Sequence, residues 1–255
     1  MVKGDPLRIS ATSYLSYLRC PAQAEARFQR IFEPESPPTF RGALAHRLFA
    51  RHLRNGDIED VEQACREEIG VGLNHRLAAL ASKPSELRSM IAECNDLYQR
   101  FRLMTTAGFE AAEVLIEVAP AEDVTLVGRL DAVFTDEEGE RIVDWKTGNL
   151  GEPLDQLLFY ALLWTLDRRR VPQRMEAVSI NTGETFEVRP VEPQLEVVAE
   201  TVASMVNELR TAWADSRPVR LQGGPWCGRC PILENCPEGR SSVAVMGELS
   251  SSLED

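Results

Sequence analysis

Apolar positions recur at helical spacing over the first hundred residues and at strand spacing through the middle of the chain. Within residues 11–32, Tyr14, Leu15, Leu18, Ala22, Ala26 and Phe28 fall near one helical face, and Ser10 to Ser13 offer N-caps. Pro21 follows Cys20 directly, so two helical pieces meeting there are as good a reading as one. A Pro-rich link at 33–38 ends this segment. Residues 40–49 then read as an amphipathic helix: Leu44, Leu48 and Phe49 face a core and His46 lies off that stripe. Residues 57–106 are again helical, interrupted at Lys83-Pro84.

The pattern changes at Ala111. Residues 114–118, 124–134 and 141–146 read as strands, with turns at 136–139 and Thr147-Gly148, which predicts a three-stranded meander. A helix over 154–166, two strands at 174–181 and 184–189 joined at Thr182-Gly183, and a helix over 193–214 follow. The segment 223–237 is loop-like and built around three cysteines, and no internal repeat is visible.

Side chains alternate across a strand, so Asp144 and Lys146 point into the same space while Val143 and Trp145 face the other way. A surface ion pair of this kind contributes only about 0–1 kcal/mol. Composition changes the picture. Of 28 basic residues only Lys3, Lys83 and Lys146 are lysines. A chain that otherwise uses arginine has a compact, tunable ammonium here, which suits proton handling. Asp131, in the middle of an apolar strand, needs a partner or a metal, because an unpaired buried charge costs several kcal/mol. Asp131, Asp144 and Lys146 thus form an acidic centre on adjacent strands, with His46 and Glu117 as candidates to complete it. Hard oxygens with one imidazole suit Mg²⁺ or Mn²⁺, and such a centre can orient a water towards a phosphodiester.

The net charge of −12 argues against a surface coated for non-specific nucleic-acid binding, though it leaves room for a local basic groove. Arg41, Arg47, Arg51 and Arg54, with Arg168 to Arg170, are candidates for backbone contact. There is no run of 18 apolar residues and no apolar stretch at the start, so neither a membrane span nor a signal peptide is expected, and cytoplasm is the default. The stretch 241–255, Ser- and acid-rich at its end, is expected to be a disordered tail.

Cys65 and Cys94 lie inside helical segments without ligand-spaced partners and read as small buried hydrophobes. Cys227, Cys230 and Cys236 supply three thiolates from one loop, and Cys20, also followed by proline, is the obvious fourth. Four thiolates can hold zinc or a [4Fe–4S] cluster, and spacing alone leaves the choice open. Either would staple the N-terminal helix to the C-terminal loop.

Ser10-Ala11-Thr12-Ser13-Tyr14-Leu15 leading to Cys20-Pro21, Gly42-Ala43-Leu44-Ala45-His46, Gly128-Arg129-Leu130-Asp131, Asp144-Trp145-Lys146-Thr147-Gly148, Gln156-Leu157-Leu158-Phe159-Tyr160 and the cysteine loop occur in a fixed order. Together they resemble the RecB-like, iron–sulfur branch of the PD-(D/E)XK nucleases, which includes the AddB nuclease domain and the CRISPR-associated adaptation exonuclease. The resemblance implies an α/β fold with a restriction-endonuclease-like mixed central sheet flanked by helices. It implies His46, Asp131, Asp144 and the Trp145 backbone carbonyl as metal ligands, Lys146 as the catalytic lysine, and Gln156 and Tyr160 as substrate-positioning residues. It also implies [4Fe–4S] rather than zinc at Cys20, Cys227, Cys230 and Cys236. The expectation is a single nuclease domain over 1–240, with a helical insert at about 57–106 and the nuclease core at about 110–190. Its activity would be that of a DNA exonuclease on single-stranded ends, in repair, recombination or CRISPR adaptation, with helicase or adaptation proteins as partners. The alternative is a non-catalytic DNA-binding or assembly subunit built on the same fold.

Overall fold

The computed structural model describes residues 6–251, the last three of these by backbone only. The chain divides into two compact units. One comprises residues up to Pro34, Glu117–Gly128 and the chain from Pro193; the other comprises Glu35–Ile116 and Arg129–Glu192. The class is the expected one, a mixed β-sheet flanked by helices.

In the first unit, strand β1 (Leu7–Ser10) runs parallel to the opening of β3 (Val124–Asp136), pairing Leu7 with Val124 and Ser10 with Val127. Sequence patterning had Ser10 only as a helix cap; the strand before it is too short to show a period. Ser10 does cap α1 (Ala11–Arg19), accepting a hydrogen bond from the Ser13 amide. The helix breaks at Cys20, and Pro21 starts α2 (Pro21–Phe28), so the two-piece reading holds. The helix α8 (Glu192–Ala214) buries Leu195, Val198, Val202, Met205 and Leu209, and its Trp213 donates to Glu25 of α2 at 2.7 Å. Short 3₁₀ turns at Pro225–Arg229 and Leu233–Asn235 carry the cysteines into α9 (Pro237–Ser251). The expected disordered tail is therefore helical to Ser251; Ala244, Met246, Glu248 and Leu249 are good helix formers that outweigh the serines. Residues 252–255 of that tail lie outside the described residues.

In the second unit, α3 runs over Pro37–Asn55, with Ser36 capping it and accepting from the Thr39 amide. The prolines read as a link in fact open this helix, where a missing N–H and a fixed φ cost nothing. The insert consists of α4 (Val61–Glu68), a π-helical turn (Ile69–Leu73), α5 (Asn74–Leu80) and α6 (Pro84–Phe101). Cys65 and Cys94 are fully buried within it, and burial pushes their thiols up to about 11 and about 12.

The sheet in this unit holds the end of β3, then β4 (Gly139–Lys146) antiparallel to it, β5 (Arg174–Ser179) parallel to β4, and β6 (Thr185–Val188) antiparallel to β5. The strand β2 (Phe109–Ala121) pairs with β3, which completes the expected meander. Helix α7 (Leu154–Arg168) is the crossover between parallel β4 and β5. Because β4 is covered on both faces, Ile142, Val143, Asp144 and Trp145 are all buried, and the strand does not alternate as an edge strand would. Trp145 points into the core, edge-on to Phe101 at 5.2 Å, and Phe101 stacks on Phe49 of α3 at 4.2 Å. That aromatic column fixes α3 against the end of β4. Gly42 permits the approach, since a Cβ there would lie 3.2 Å from the Thr147 hydroxyl.

Candidate metal centre

Four elements of the second unit converge on one acidic site. His46 comes from the polar side of α3, Asp131 from β3, Asp144 and Lys146 from β4, and Gln156 and Tyr160 from the first two turns of α7. His46 Nδ1 lies 3.1 Å from Asp131 Oδ1, and the Trp145 amide donates to Asp131 Oδ2 at 2.7 Å. Lys146 Nζ donates to Gln156 Oε1 at 2.6 Å and lies 2.7 Å from Asp144 Oδ2. That last contact is out of line for a hydrogen bond, leaving Asp144 Oδ2 buried with an ion pair and no hydrogen-bond donor. Gln156 Nε2 in turn donates to Asp144 Oδ1 at 2.9 Å and towards the Tyr160 hydroxyl at 3.2 Å. The i, i+4 pair on α7 therefore holds the carboxylate and the ammonium together, a contact the sequence alone did not locate.

The third acid is Glu113. One ligand atom each from His46, Glu113 and Asp131 lies within 4.8 Å of the others, the arrangement a single ion requires. Glu117, the candidate from the strand pattern, instead sits exposed in the first unit and pairs with Arg8. The reason is local: Glu113 has φ 57, a conformation few non-glycine residues adopt, and such a residue inside β2 redirects its side chain. Simple alternation cannot anticipate it, and no residue type in the stretch signals it.

Charge crowding is evident. Burial and the neighbouring Asp131 raise the Asp144 carboxyl to about 6, despite Lys146. Burial and Asp131 likewise raise Glu113. Burial alone would lower His46, but Asp131, Asp144 and Glu113 outweigh it and carry the imidazolium up to about 9. Burial, then Asp144, pushes the Tyr160 phenol up. His46, Lys146 and Arg129 offset these carboxylates, and a divalent ion that displaces the His46 proton would suit the same oxygen-rich set.

The candidate backbone-contact arginines divide. Arg41 is paired with Glu93 and Arg170 with Glu140, while Arg168 pairs with Asp167 at 2.9 Å and lies over Trp164. Arg47, Arg51 and Arg54 line a cavity that reaches Glu113, with Arg47 paired to Glu68 and Arg51 to Glu67.

In the first unit the four thiols are unpaired as disulfides. Cys20 Sγ accepts from the Gln222 amide at 3.4 Å, Cys227 Sγ from Gly224 at 3.4 Å and Cys236 Sγ from Gly239 at 3.2 Å. Burial raises the Cys230 thiol; the Ile232 amide lowers it, and Cys20, Cys227 and Cys236 raise it further, so the four share one neighbourhood. Amide donors aimed at soft sulfurs fit a thiolate-bound metal group. Among the described residues, no three of these sulfurs gather within 4.8 Å of one another.

Among the described residues no helix is long and apolar enough to cross a membrane. Among curated proteins, none is significantly similar to the chain. Among solved structures, a candidate exonuclease from Eubacterium rectale superposes with a TM-score of 0.55 at 10% identity, covering 89% of this chain and 87% of its own. LHK-Exo in complex with dAMP aligns with a TM-score of 0.34 at 13% identity, over 68% of this chain and 93% of its own. The family model of the PD-(D/E)XK nuclease superfamily matches residues 8–237, nearly the whole chain, and spans every residue of the candidate site. The chain belongs to the PD-(D/E)XK nuclease superfamily.

Proposed function

We propose that the chain is a divalent-metal-dependent deoxyribonuclease, an exonuclease on single-stranded DNA ends that acts in repair, recombination or CRISPR adaptation. The observation that carries this reading is Lys146 Nζ held 2.7 Å from Asp144 Oδ2, on the strand beside Asp131 and its partner His46. An ion pair with no further role would not need two more half-buried carboxyl groups and an imidazole around it.

His46, Glu113, Asp131 and Asp144, with the Trp145 carbonyl, would hold Mg²⁺ or Mn²⁺. When bound, that ion supplies charge stabilisation for the phosphodiester and a more acidic water. Lys146 donates a proton-bearing Nζ towards the reacting phosphate or the water, in the position that Gln156 Oε1 and Asp144 Oδ2 set for it. Gln156 and Tyr160 then serve double duty, orienting Lys146 and lying against the substrate strand. Such fixed donors cost no reorganisation when charge develops.

The branch assignment belongs to the same proposal: Cys20, Cys227, Cys230 and Cys236 hold a [4Fe–4S] cluster. The likeness of the motif order to the iron–sulfur branch supports a cluster over zinc, and a reducing compartment such as the cytoplasm would keep these thiols available to it. Residues 1–240 would then act as one nuclease domain, with 57–106 as its helical insert and helicase or CRISPR adaptation proteins as partners.

The test is digestion of end-labelled single- and double-stranded DNA with Mg²⁺ or Mn²⁺, wild type against Lys146→Ala. Progressive shortening of single strands by the wild type alone is expected. Equal cutting by the two proteins would refute the assigned site, and binding without cutting under either metal would favour a non-catalytic scaffold.

A further inference from the structure

Beside the metal centre, the second unit has a cavity of about 410 Å³ whose walls carry Arg47, Arg51, Arg54 and Arg129, with Glu68 and Glu113 as the acidic lining groups. Four guanidiniums and two carboxylates line it, and a third carboxylate, Glu67, pairs with Arg51 at 2.7 Å, so the cations are still in excess. The positions are held. Arg47 Nη1 donates to Glu68 Oε2 at 3.1 Å, Arg54 Nη2 to the Ala112 carbonyl at 2.6 Å, and Arg129 Nη1 to Glu113 Oε2 at 3.3 Å.

The π-helical turn Ile69–Leu73 bears on this wall. Gly72 of that turn lies so close to Arg47 that any Cβ would overlap the guanidinium. A π turn costs hydrogen-bond geometry and tends to occur where a helix is shaped for a purpose. Here turn and glycine together make room for one arginine head. Arg129 is the second telling residue. Its partner Glu113 is also the acid grouped with His46 and Asp131. Once Glu113 is committed to a cation, Arg129 is left without its anion, next to the site of cutting.

We infer that this cavity is a subsite for a terminal phosphate monoester of the DNA strand, an inference that rests on the nuclease reading above. A monoester carries about −1.5 to −2 charges near neutral pH, against −1 for each internal diester, so converging guanidiniums prefer a strand end. Arg fits the planar, two-pronged contact that a phosphate offers. The cavity adjoins Glu113, so a strand end seated there presents a phosphodiester close to His46, Asp131 and Asp144. Whether the monoester is at the 5′ or the 3′ end is a matter of strand direction, and the two share this chemistry.

The experiment is equilibrium binding of fluorescent single-stranded oligonucleotides to the full chain in Ca²⁺, with their integrity checked on a gel. The strands bear a 5′-phosphate, a 3′-phosphate or hydroxyls at both ends. About tenfold tighter binding of one phosphorylated strand than of the hydroxyl-ended one is expected, and it identifies the end that is held. Arg47→Ala should bring the ratio close to one. So should Gly72→Ala, which displaces Arg47 without removing a charge, while hydroxyl-ended DNA loses less than about threefold. Equal affinities for all three strands in the wild type, or a preference that survives both variants, would overturn the subsite. Failure to bind any strand would overturn it together with the DNA reading. A preserved end preference in a protein that cuts nothing would sustain the subsite and remove only the catalytic assignment.

Discussion

The acidic centre and the thiol cluster both assemble ligands from distant parts of the sequence, but they do so under opposite electrostatic conditions. At His46, Glu113, Asp131 and Asp144, acidic groups crowd together: burial and then Asp131 raise the Glu113 and Asp144 carboxyls, and the surrounding carboxylates raise His46. Lys146, Gln156 and the Trp145 amide hold the group together. At Cys20, Cys227, Cys236 and Cys230 the ligands are thiols, with Cys230 pushed up, and backbone amides on the first three supply the contacts. The first site is a set of donors gathered closely enough that a cation could be held by them. The second is a looser gathering of soft donors whose final spacing depends on what they bind. Catalysis needs the former, because donors must be fixed before charge develops; a staple can be drawn tight by its own metal.

The sharpest break in that comparison is Lys146→Ala. It should lower kcat for DNA digestion by about 10³-fold while leaving strand affinity within a few fold, as measured by single-turnover digestion and by binding. If it instead weakened binding alone, the ammonium would be a phosphate anchor and not a catalytic group.

Cys227→Ser addresses the other site. It should abolish the brown colour and the iron content of anaerobically prepared protein and lower unfolding stability by about 3–5 kcal/mol, comparable to releasing a constraint on a long loop. The acidic centre should still bind Mn²⁺. A variant that keeps its iron would remove Cys227 from the cluster.

Charge frustration at the acidic centre has a pH signature in metal-free protein. The Asp144 carboxyl is raised from 3.8 to about 6, so its ionisation opposes folding, and stability should fall between about pH 4 and 6 by about 3 kcal/mol. His46 is raised from 6.5 to about 9, so its contribution is present below about pH 6.5 and is lost as pH rises towards 9. Divalent ions need the imidazole neutral and the carboxylates ionised, so the rise in Tm on adding Mn²⁺ should grow across this range. Thermal melts at each pH, with and without Mn²⁺, measure both effects. A Tm gain that shrank with pH would contradict the charge assignment.

The smallest effect is expected from Gln156→Leu, which removes the bridge and leaves Lys146 and Asp144 each short of one partner. A loss of about 1–3 kcal/mol in stability and about tenfold in kcat follows from the unsatisfied buried groups. Chemical denaturation alongside steady-state digestion would show whether the two losses go together.

Much of this was legible in the residues. Strand alternation alone put Asp144 and Lys146 on one face, and His46 stood out because it lay off the stripe of Leu44, Leu48 and Phe49. Pro21 made a break after Cys20 one of two readings, and the helix after Gly148 followed from its apolar spacing, though not its role as a crossover. What escaped has long-range or conformational causes. Glu113 enters the centre through a positive φ, and Glu117 leaves it through Arg8, more than a hundred positions away. Strand β1 exists because β3 offers it a parallel partner. The π turn at Ile69–Leu73 has no signature in its residue types, and Gly72 gains its meaning only from Arg47 packed against it.

The central claim is that His46, Glu113, Asp131 and Asp144 hold one divalent cation between them. Calorimetric titration of Mn²⁺ into the wild-type chain and into Asp131→Asn tests it most directly. One site per chain is expected, weakened at least about tenfold by the substitution, with proton uptake or release that changes between pH 6 and 9. Equal Mn²⁺ affinity in the two proteins would contradict it.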